Sequence, residues 1–168
     1  LYRASQAGVK IDLVIRGVCC LRSKVPGVSD NITVRSLVGR FLEHSRIFRF
    51  ENGGHPEVYL ASADWMARNF FRRVESCFPI EDPELRGQID QMLDIYWRDN
   101  VKSREQGPGP TYVRRPIDGD VVVDAQAHFL EQALKKKTPD VDAKPLVVKT
   151  NATVKDAKPR QEQLGQPA

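Results

Sequence analysis

The sequence predicts an α/β domain, and three observations carry that expectation. The chain opens on a helical stretch at residues 1–7 followed by a β-branched strand at 9–15, the element order that builds α/β sheets. Further apolar, β-branched or aromatic runs recur at 32–38, 41–50 and 58–61, each bounded by turn residues. A longer segment then places Leu85, Ile89, Met92, Leu93 and Tyr96 at helical spacing.

Each element has its own local reason. Gly8 follows the first helix and serves as its stop. Residues 17–31 contain Pro26, Gly27, Ser29, Asp30 and Asn31, so they read as a loop. Gly39 breaks the chain between the strands at 32–38 and 41–50. Glu51-Asn52-Gly53-Gly54 is a turn signal, and the run at 58–61 after it completes a hairpin. A further strand is expected at 74–80. Asp82-Pro83-Glu84 starts a helix: Asp caps, Pro fits the first helical position, and Glu complements the positive end of the dipole. The apolar stripe of that helix is expected to face the core. Residues 106–110 form a Gly/Pro linker, 111–115 a short strand and 125–134 a last helix. The domain is therefore placed at 1–134, with a basic, disordered tail at 135–168 whose Lys, Pro, Asp and Ala carry no apolar periodicity.

Composition narrows the function. With 168 residues and 40% hydrophobic content the chain can bury a core. No apolar run approaches the roughly 18 residues of a membrane span, and residues 1–6 do not form a signal peptide. The absence of an initiator Met is expected of a fragment. Cys19, Cys20 and Cys77 are an odd set without CxxC spacing, which argues for reduced thiols in the cytoplasm rather than disulfides or zinc. The net charge of +4 is unevenly spread: residues 16–73 carry nine Arg and one Lys against five acids, and residues 74–134 carry six basic against twelve acidic residues. Arginine grips phosphate with a planar two-donor fork that lysine lacks. An arginine-only bias thus points to phosphate more specifically than net charge does, although a solvated basic face has the same composition.

Three features bear on chemistry. Val14-Ile15-Arg16-Gly17 ends a strand, where ligands gather in open α/β sheets and where glycine lets a phosphate approach. Taken alone, an arginine at a strand end is more often a surface ion pair. Glu43-His44-Ser45-Arg46 puts one of three histidines among arginines, in the strand that leads to the hairpin; an imidazole there can exchange protons near neutral pH, or simply fill a polar slot. Ala61-Ser62-Ala63-Asp64-Trp65-Met66-Ala67-Arg68-Asn69 sets small residues, a hydroxyl, a carboxylate and an arginine directly after a strand. Such residues let backbone N–H groups approach an anion; a turn around a buried tryptophan is the plainer reading. His55 and His128 are assigned no role.

The strings ASQAGVKIDLVIRGVCCL, GVSDNITVRSLVGRFLEHSRIFRFENGG and EVYLASADWMARNFFRRVESCFPI, in this order, resemble the last catalytic domain of class 1 polyphosphate kinases, from the first residue to about Asn100 and more weakly to Leu134. That resemblance implies an N-terminally truncated phospholipase D-like domain, a mixed sheet flanked by helices. In the phospholipase D superfamily two such domains each bring a histidine to a shared site. The superfamily pattern HxK with a later GSxN stands here as His44-Ser45-Arg46 and Ala61-Ser62-Ala63-Asp64. Lysine has become arginine and the asparagine position is Asp64, and both departures fit the kinases.

The resemblance implies reversible transfer of the terminal phosphate of ATP to inorganic polyphosphate, through a phosphohistidine and with Mg²⁺. The phosphorylated histidine, the metal-binding residues and the adenine-contacting region are expected in preceding domains, so no metal ligand is assigned here. Arg16 and His44 match nucleotide-phosphate contacts of the family, and His44 is the catalytic candidate. Arg46, Ser62, Asp64 and Arg68 match the motifs as support for the phosphate site. Expected partners are ATP and ADP, polyphosphate, the preceding domains and further copies in a homo-oligomer. The expected place is the cytoplasm, or the membrane periphery in the full-length enzyme, and the fragment alone is expected to be inactive.

Two other readings compete. A phospholipase D-type phosphodiesterase half-domain is disfavoured by Arg46 and Asp64. A non-catalytic polyanion- or RNA-binding module would need exposed aromatics among the basic residues; Phe48, Phe50 and Tyr59 are available, but their alternation places them in the core.

Overall fold

The computed structural model describes residues 1–117 and 121–135. A short helix, α1 (Tyr2–Gln6), leads into strand β1 (Ile11–Val14). Gly8 ends the helix as expected, at φ +87°, a conformation that a side chain would strain. After the loop comes β2 (Ile32–Leu37), then β3 (Arg46–Phe50), a 3-10 turn at Asn52–Gly54, and β4 (Glu57–Ala61). Helix α2 (Ala67–Arg72), strand β5 (Cys77–Pro79) and helix α3 (Pro83–Arg98) follow. Strands β6 (Ser103–Gln106) and β7 (Tyr112–Arg114) precede the last helix, α4 (Ala125–Lys135).

The strands form two sheets. One is mixed, in the order β1-β2-β6-β7, and the other is an antiparallel meander, β3-β4-β5. β1 and β2 are parallel, with Ile11 opposite Ile32 and Val14 opposite Arg35, while β6 and β7 add on antiparallel. Ile32, Val34 and Leu37 of β2 are fully or almost fully buried, and Val58 of β4 joins them in the core. The β-branched run that predicted β2 is therefore a central strand, and the mixed sheet flanked by helices accords with the expected α/β class.

Several expectations need correction. The strand expected at 41–50 begins only at Arg46, which pairs with Ala61, the last residue of β4. His44 therefore sits in the loop between β2 and β3 and not in a strand. The strand expected at 74–80 shrinks to Cys77–Pro79, the three residues that pair with Tyr59–Ala61 of β4, and Val74 is fully exposed. The apolar stripe of α3 is half-buried, and Leu85 is exposed, so that face is not core. Trp65 is 55% exposed and stacks on Phe48 at 5.4 Å, which rules out a buried tryptophan in the turn. Phe50 is exposed and meets Tyr59 edge-on at 6.1 Å; these rings pair with one another and stay outside the core. The tail expected beyond 134 lies outside the described residues from 136 onward, and Lys135 closes α4.

Two elements escaped the sequence pattern. β6 reads Ser-Arg-Glu-Gln, and its buried positions are the polar Ser103 and Gln106. Gln106 is satisfied locally: its Oε1 accepts from Ser23 N–H at 3.0 Å, and its Nε2 donates to Leu21 O at 3.1 Å and Tyr112 Oη at 3.2 Å. Buried polar groups with partners cost little, and of the two buried side chains only the Ser103 hydroxyl lacks one among the described residues. α2 has six residues and exposes Phe70 and Phe71, so it offers no amphipathic period to detect.

The helix starts came out as the sequence indicated. Asp82 caps α3, its Oδ1 accepting from Glu84 N–H at 2.8 Å and Leu85 N–H at 3.0 Å. At the other end, buried Asp99 accepts from the N–H groups of Val101, Lys102 and Ser103 through Oδ1, and from Ala125 N–H through Oδ2. One carboxylate thus ties the end of α3 and the start of β6 to the first turn of α4.

Candidate functional site

A cleft of about 750 Å³ opens where the carboxyl end of β1 meets the β3–β4 hairpin. All six residues singled out by sequence line it: Arg16, His44, Arg46, Ser62, Asp64 and Arg68. Each arrives from a different local device. Arg16 follows β1 just past the last ladder bond, Ile15 N–H to Arg35 O at 2.8 Å. His44 comes from the β2–β3 loop and Arg46 from the first position of β3. Ser62 and Asp64 follow β4 immediately, and Arg68 lies in the first turn of α2.

Arg46 organises the centre. Its Nε donates to Asp64 Oδ1 at 3.0 Å. Its Nη1 donates to the His44 carbonyl at 2.7 Å and lies 2.9 Å from His44 Nδ1. The same Nη1 lies 3.3 Å from His44 Nε2, so the guanidinium faces both ring nitrogens. The hydrogen bond from Arg46 holds the Asp64 carboxyl below its ordinary range, with further help from the charges of Arg16 and Arg68. Asp64 is thus an anion that orients Arg46.

A second carboxylate closes the rim. Glu75 accepts from Ser62 Oγ and from Asn69 Nδ2, and these bonds hold it ionised below the usual carboxylate range. The Ser62 hydroxyl also accepts from Ser76 N–H at 3.0 Å, so it is fully engaged. Asn69 is buried, and its Oδ1 has no hydrogen-bond partner among the described residues.

Electrostatically the cleft holds four guanidinium groups, of Arg16, Arg46, Arg68 and Arg73, against the two carboxylates of Asp64 and Glu75. Only Arg46 is ion-paired; among the described residues Arg16, Arg68 and Arg73 form no salt bridge. Unpaired arginines on one concave surface favour an anion with several oxygens. No cluster of three or more metal-ligating side chains occurs among the described residues. Asp64 Oδ1 and both oxygens of Glu75 take hydrogen bonds from Arg46, Ser62 and Asn69. No helix among the described residues is long and apolar enough to cross a membrane.

Sequence reasoning missed Arg73, Glu75 and the buried role of Asn69. Arg73 could have been found, since it ends an arginine-rich run that follows the small-residue motif. Glu75 carried no signal, because only the fold brings it back onto Ser62.

Comparison with known proteins gives this cleft a context. The model of the family described as polyphosphate kinase C-terminal domain 2 matches residues 1–126. A polyphosphate kinase from Pseudomonas aeruginosa is 59% identical over 133 residues, covering 79% of this chain and 19% of the relative. One from Synechocystis is 52% identical over 141 residues, covering 83% of this chain and 19% of the relative. The crystal structure of polyphosphate kinase from Porphyromonas gingivalis superposes with a TM-score of 0.75 at 44% identity, over 82% of this chain and 22% of that one. The chain spans about a fifth of the length of the curated relatives it matches.

Proposed function

This chain belongs to the polyphosphate kinase family, and on that premise we propose that it supplies one phosphate-holding wall of a site that moves the terminal phosphate of ATP to and from inorganic polyphosphate. The observation that carries the reading is the cleft in which Arg16, Arg68 and Arg73 keep their guanidinium groups unpaired around His44. Phosphoryl transfer depends on positioning and on neutralising spread-out charge, and demands little covalent chemistry from the protein. Arg16 grips phosphate oxygens with its two-donor fork. Arg46, fixed by Asp64, holds the His44 ring at the cleft, where an imidazole can exchange a proton with the transferring group. The unpaired arginines of α2 and the segment after it extend the positive wall for a polyphosphate chain.

The histidine that takes the phosphate and the ligands of Mg²⁺ belong, in this proposal, to the part of the enzyme outside the chain. Asp64 and Glu75 support that assignment, because three of their four oxygens are already engaged by Arg46, Ser62 and Asn69. The fragment alone is then inactive and depends on the preceding domains, within a full-length homo-oligomer. Three free thiols, Cys19, Cys20 and Cys77, fit the reducing cytoplasm.

The test is a double-mutant cycle in a full-length polyphosphate kinase carrying this sequence. Arg16→Ala is expected to cost about 2–4 kcal/mol in kcat/KM, and His44→Ala to lower kcat with the circular dichroism unchanged. The double variant should lose less than the sum of the singles, because both groups act on one phosphate. Wild-type turnover in His44→Ala would remove that residue from the site, and turnover by the 168-residue chain alone would overturn its dependence on other domains.

A further inference from the structure

Residues 38–45 carry His44 into the cleft, yet none of them takes part in a backbone–backbone hydrogen bond of the loops among the described residues. Backbone polar groups need partners, and here one side chain of α4 provides them. Phe41 N–H donates to Gln126 Oε1 at 3.0 Å, and Gln126 Nε2 donates back to Phe41 O at 2.8 Å. This two-point pairing imitates one rung of a sheet. The second hydrogen of Nε2 goes to Glu43 Oε1 at 2.6 Å, and the other Glu43 oxygen accepts from Tyr96 Oη at 2.7 Å. Burial, and then the bond to Glu43, push the Tyr96 phenol well above its ordinary range, so it stays a donor.

The arrangement is specific. Gln126 is 6% exposed and all its amide groups are used, so a flipped amide would set donor against donor and acceptor against acceptor. Gly39 makes the room: a Cβ there would lie 2.3 Å from Gln126 Oε1. The His44 ring is held on its other side by Arg46. Neither Gln126 nor Tyr96 lines the cleft, so any effect they have on it passes through the loop.

We propose that Gln126, with Glu43 and Tyr96, is a positioning unit that fixes the loop at Phe41 and Glu43 and so aims His44 at phosphate in the cleft. The proposal rests on reading the cleft as a phosphate site. It makes α3 and α4 part of the site's machinery, although they contribute no phosphate contact through these residues.

The test uses the 168-residue chain, with inorganic tripolyphosphate as the probe. Gln126→Met keeps the volume and removes every bond. Gly39→Ala displaces the Gln126 amide without changing it. In both variants we expect amide exchange at Phe41 to rise about tenfold or more, the scale of one lost hydrogen bond. The ring nitrogen resonances of His44 should shift as the ring leaves its place beside Arg46, and tripolyphosphate affinity should fall about 5–10-fold. Val34 of β2 should keep its protection. Unchanged Phe41 exchange and unchanged His44 ring resonances would overturn the proposal whether or not tripolyphosphate binds. Failure of the wild-type chain to bind tripolyphosphate would instead overturn the phosphate reading, while the two spectroscopic readouts still decide the positioning. Collapse of the fold in both variants would also overturn it, by making Gln126 a residue of general stability.

Discussion

Arg35 lies within β2 and Arg16 just past the end of the neighbouring parallel strand β1, and they do opposite things with the same side chain. Arg35 is 8% exposed. Its Nε donates to Glu105 at 3.2 Å, its Nη1 donates to Trp97 O, and its guanidinium lies 3.6 Å above the Trp97 ring. Burial, and then the neighbouring charge of Arg115, lower its pKa, and the bonds to Glu105 work against them. Arg115 adds donors to Trp97 O at 3.2 Å and Asp99 O at 3.3 Å, so two cations close the carboxyl end of α3. Arg16, by contrast, has no salt-bridge partner among the described residues and faces the cleft beside His44. An arginine whose donors are used inside the fold holds the fold together, while one whose donors are free at a concave surface is available to a ligand. The sequence singles out Arg16 by its place at a strand end before Gly17, but it carries no sign that Arg35 is buried.

The largest effect that sharpens this contrast belongs to Arg35. Arg35→Ala leaves Glu105 to Lys24 alone and strips the cover from Trp97 and the end of α3. It removes two hydrogen bonds of a charged group, worth about 1.5–3 kcal/mol each, so urea unfolding should read a loss of about 3–5 kcal/mol. The folded fraction should still bind tripolyphosphate almost as well as wild type. A loss of binding without a loss of stability would erase the distinction between the two arginines.

Arg16→Ala should show the reverse. Unfolding free energy should stay within about 0.5 kcal/mol of wild type, as for surface changes in general. Tripolyphosphate affinity, read by calorimetry, should fall by about 1.5–3 kcal/mol, the usual worth of a hydrogen bond to a charged group. Arg16→Lys should restore part of it, since lysine keeps the charge but loses the fork.

The smallest effect lies between these extremes, at Arg46 and Asp64. This pair is partly exposed, with Asp64 about a third accessible, so Asp64→Asn should cost only about 0.2–1 kcal/mol. Its pH dependence has a definite sign. Asp64 has a lowered folded pKa, first through its bond to Arg46. Its contribution is therefore present above the unfolded value of roughly 3.9 and is lost as pH falls through the lower folded value. In Asp64→Asn the acid limb of the unfolding curve should flatten below about pH 4, and an unchanged limb would show that Arg46 holds its place without Asp64.

These contrasts also mark how much was legible in the sequence. Strands with β-branched runs, such as β1 and β2, and the capped start of α3 could be read directly, because local chemistry and burial agree there. The candidate residues converged because the motifs sit at strand ends, where α/β topology gathers them. β6 was hidden because its buried groups are polar: Gln106 finds partners in Leu21, Ser23 and Tyr112 across the fold, and Ser103 Oγ has none among the described residues. The late start of β3 was hidden for a related reason: the backbone at Phe41 pairs with a glutamine 85 residues away instead of a strand. Glu75 joined the cleft through Ser62 and Asn69, a contact that only the fold creates.

The central claim is that unpaired arginines of the cleft bind phosphate, and salt dependence of tripolyphosphate binding tests it most directly. Each guanidinium that neutralises a phosphate adds close to one unit to the slope of log affinity against log salt, by analogy with nucleic acids. The account predicts that Arg16→Ala lowers the slope by about one unit, while Arg104→Ala, an exposed arginine on β6 away from the cleft, leaves it unchanged. Equal slopes for wild type and Arg16→Ala, or an equal loss from Arg104→Ala, would contradict it.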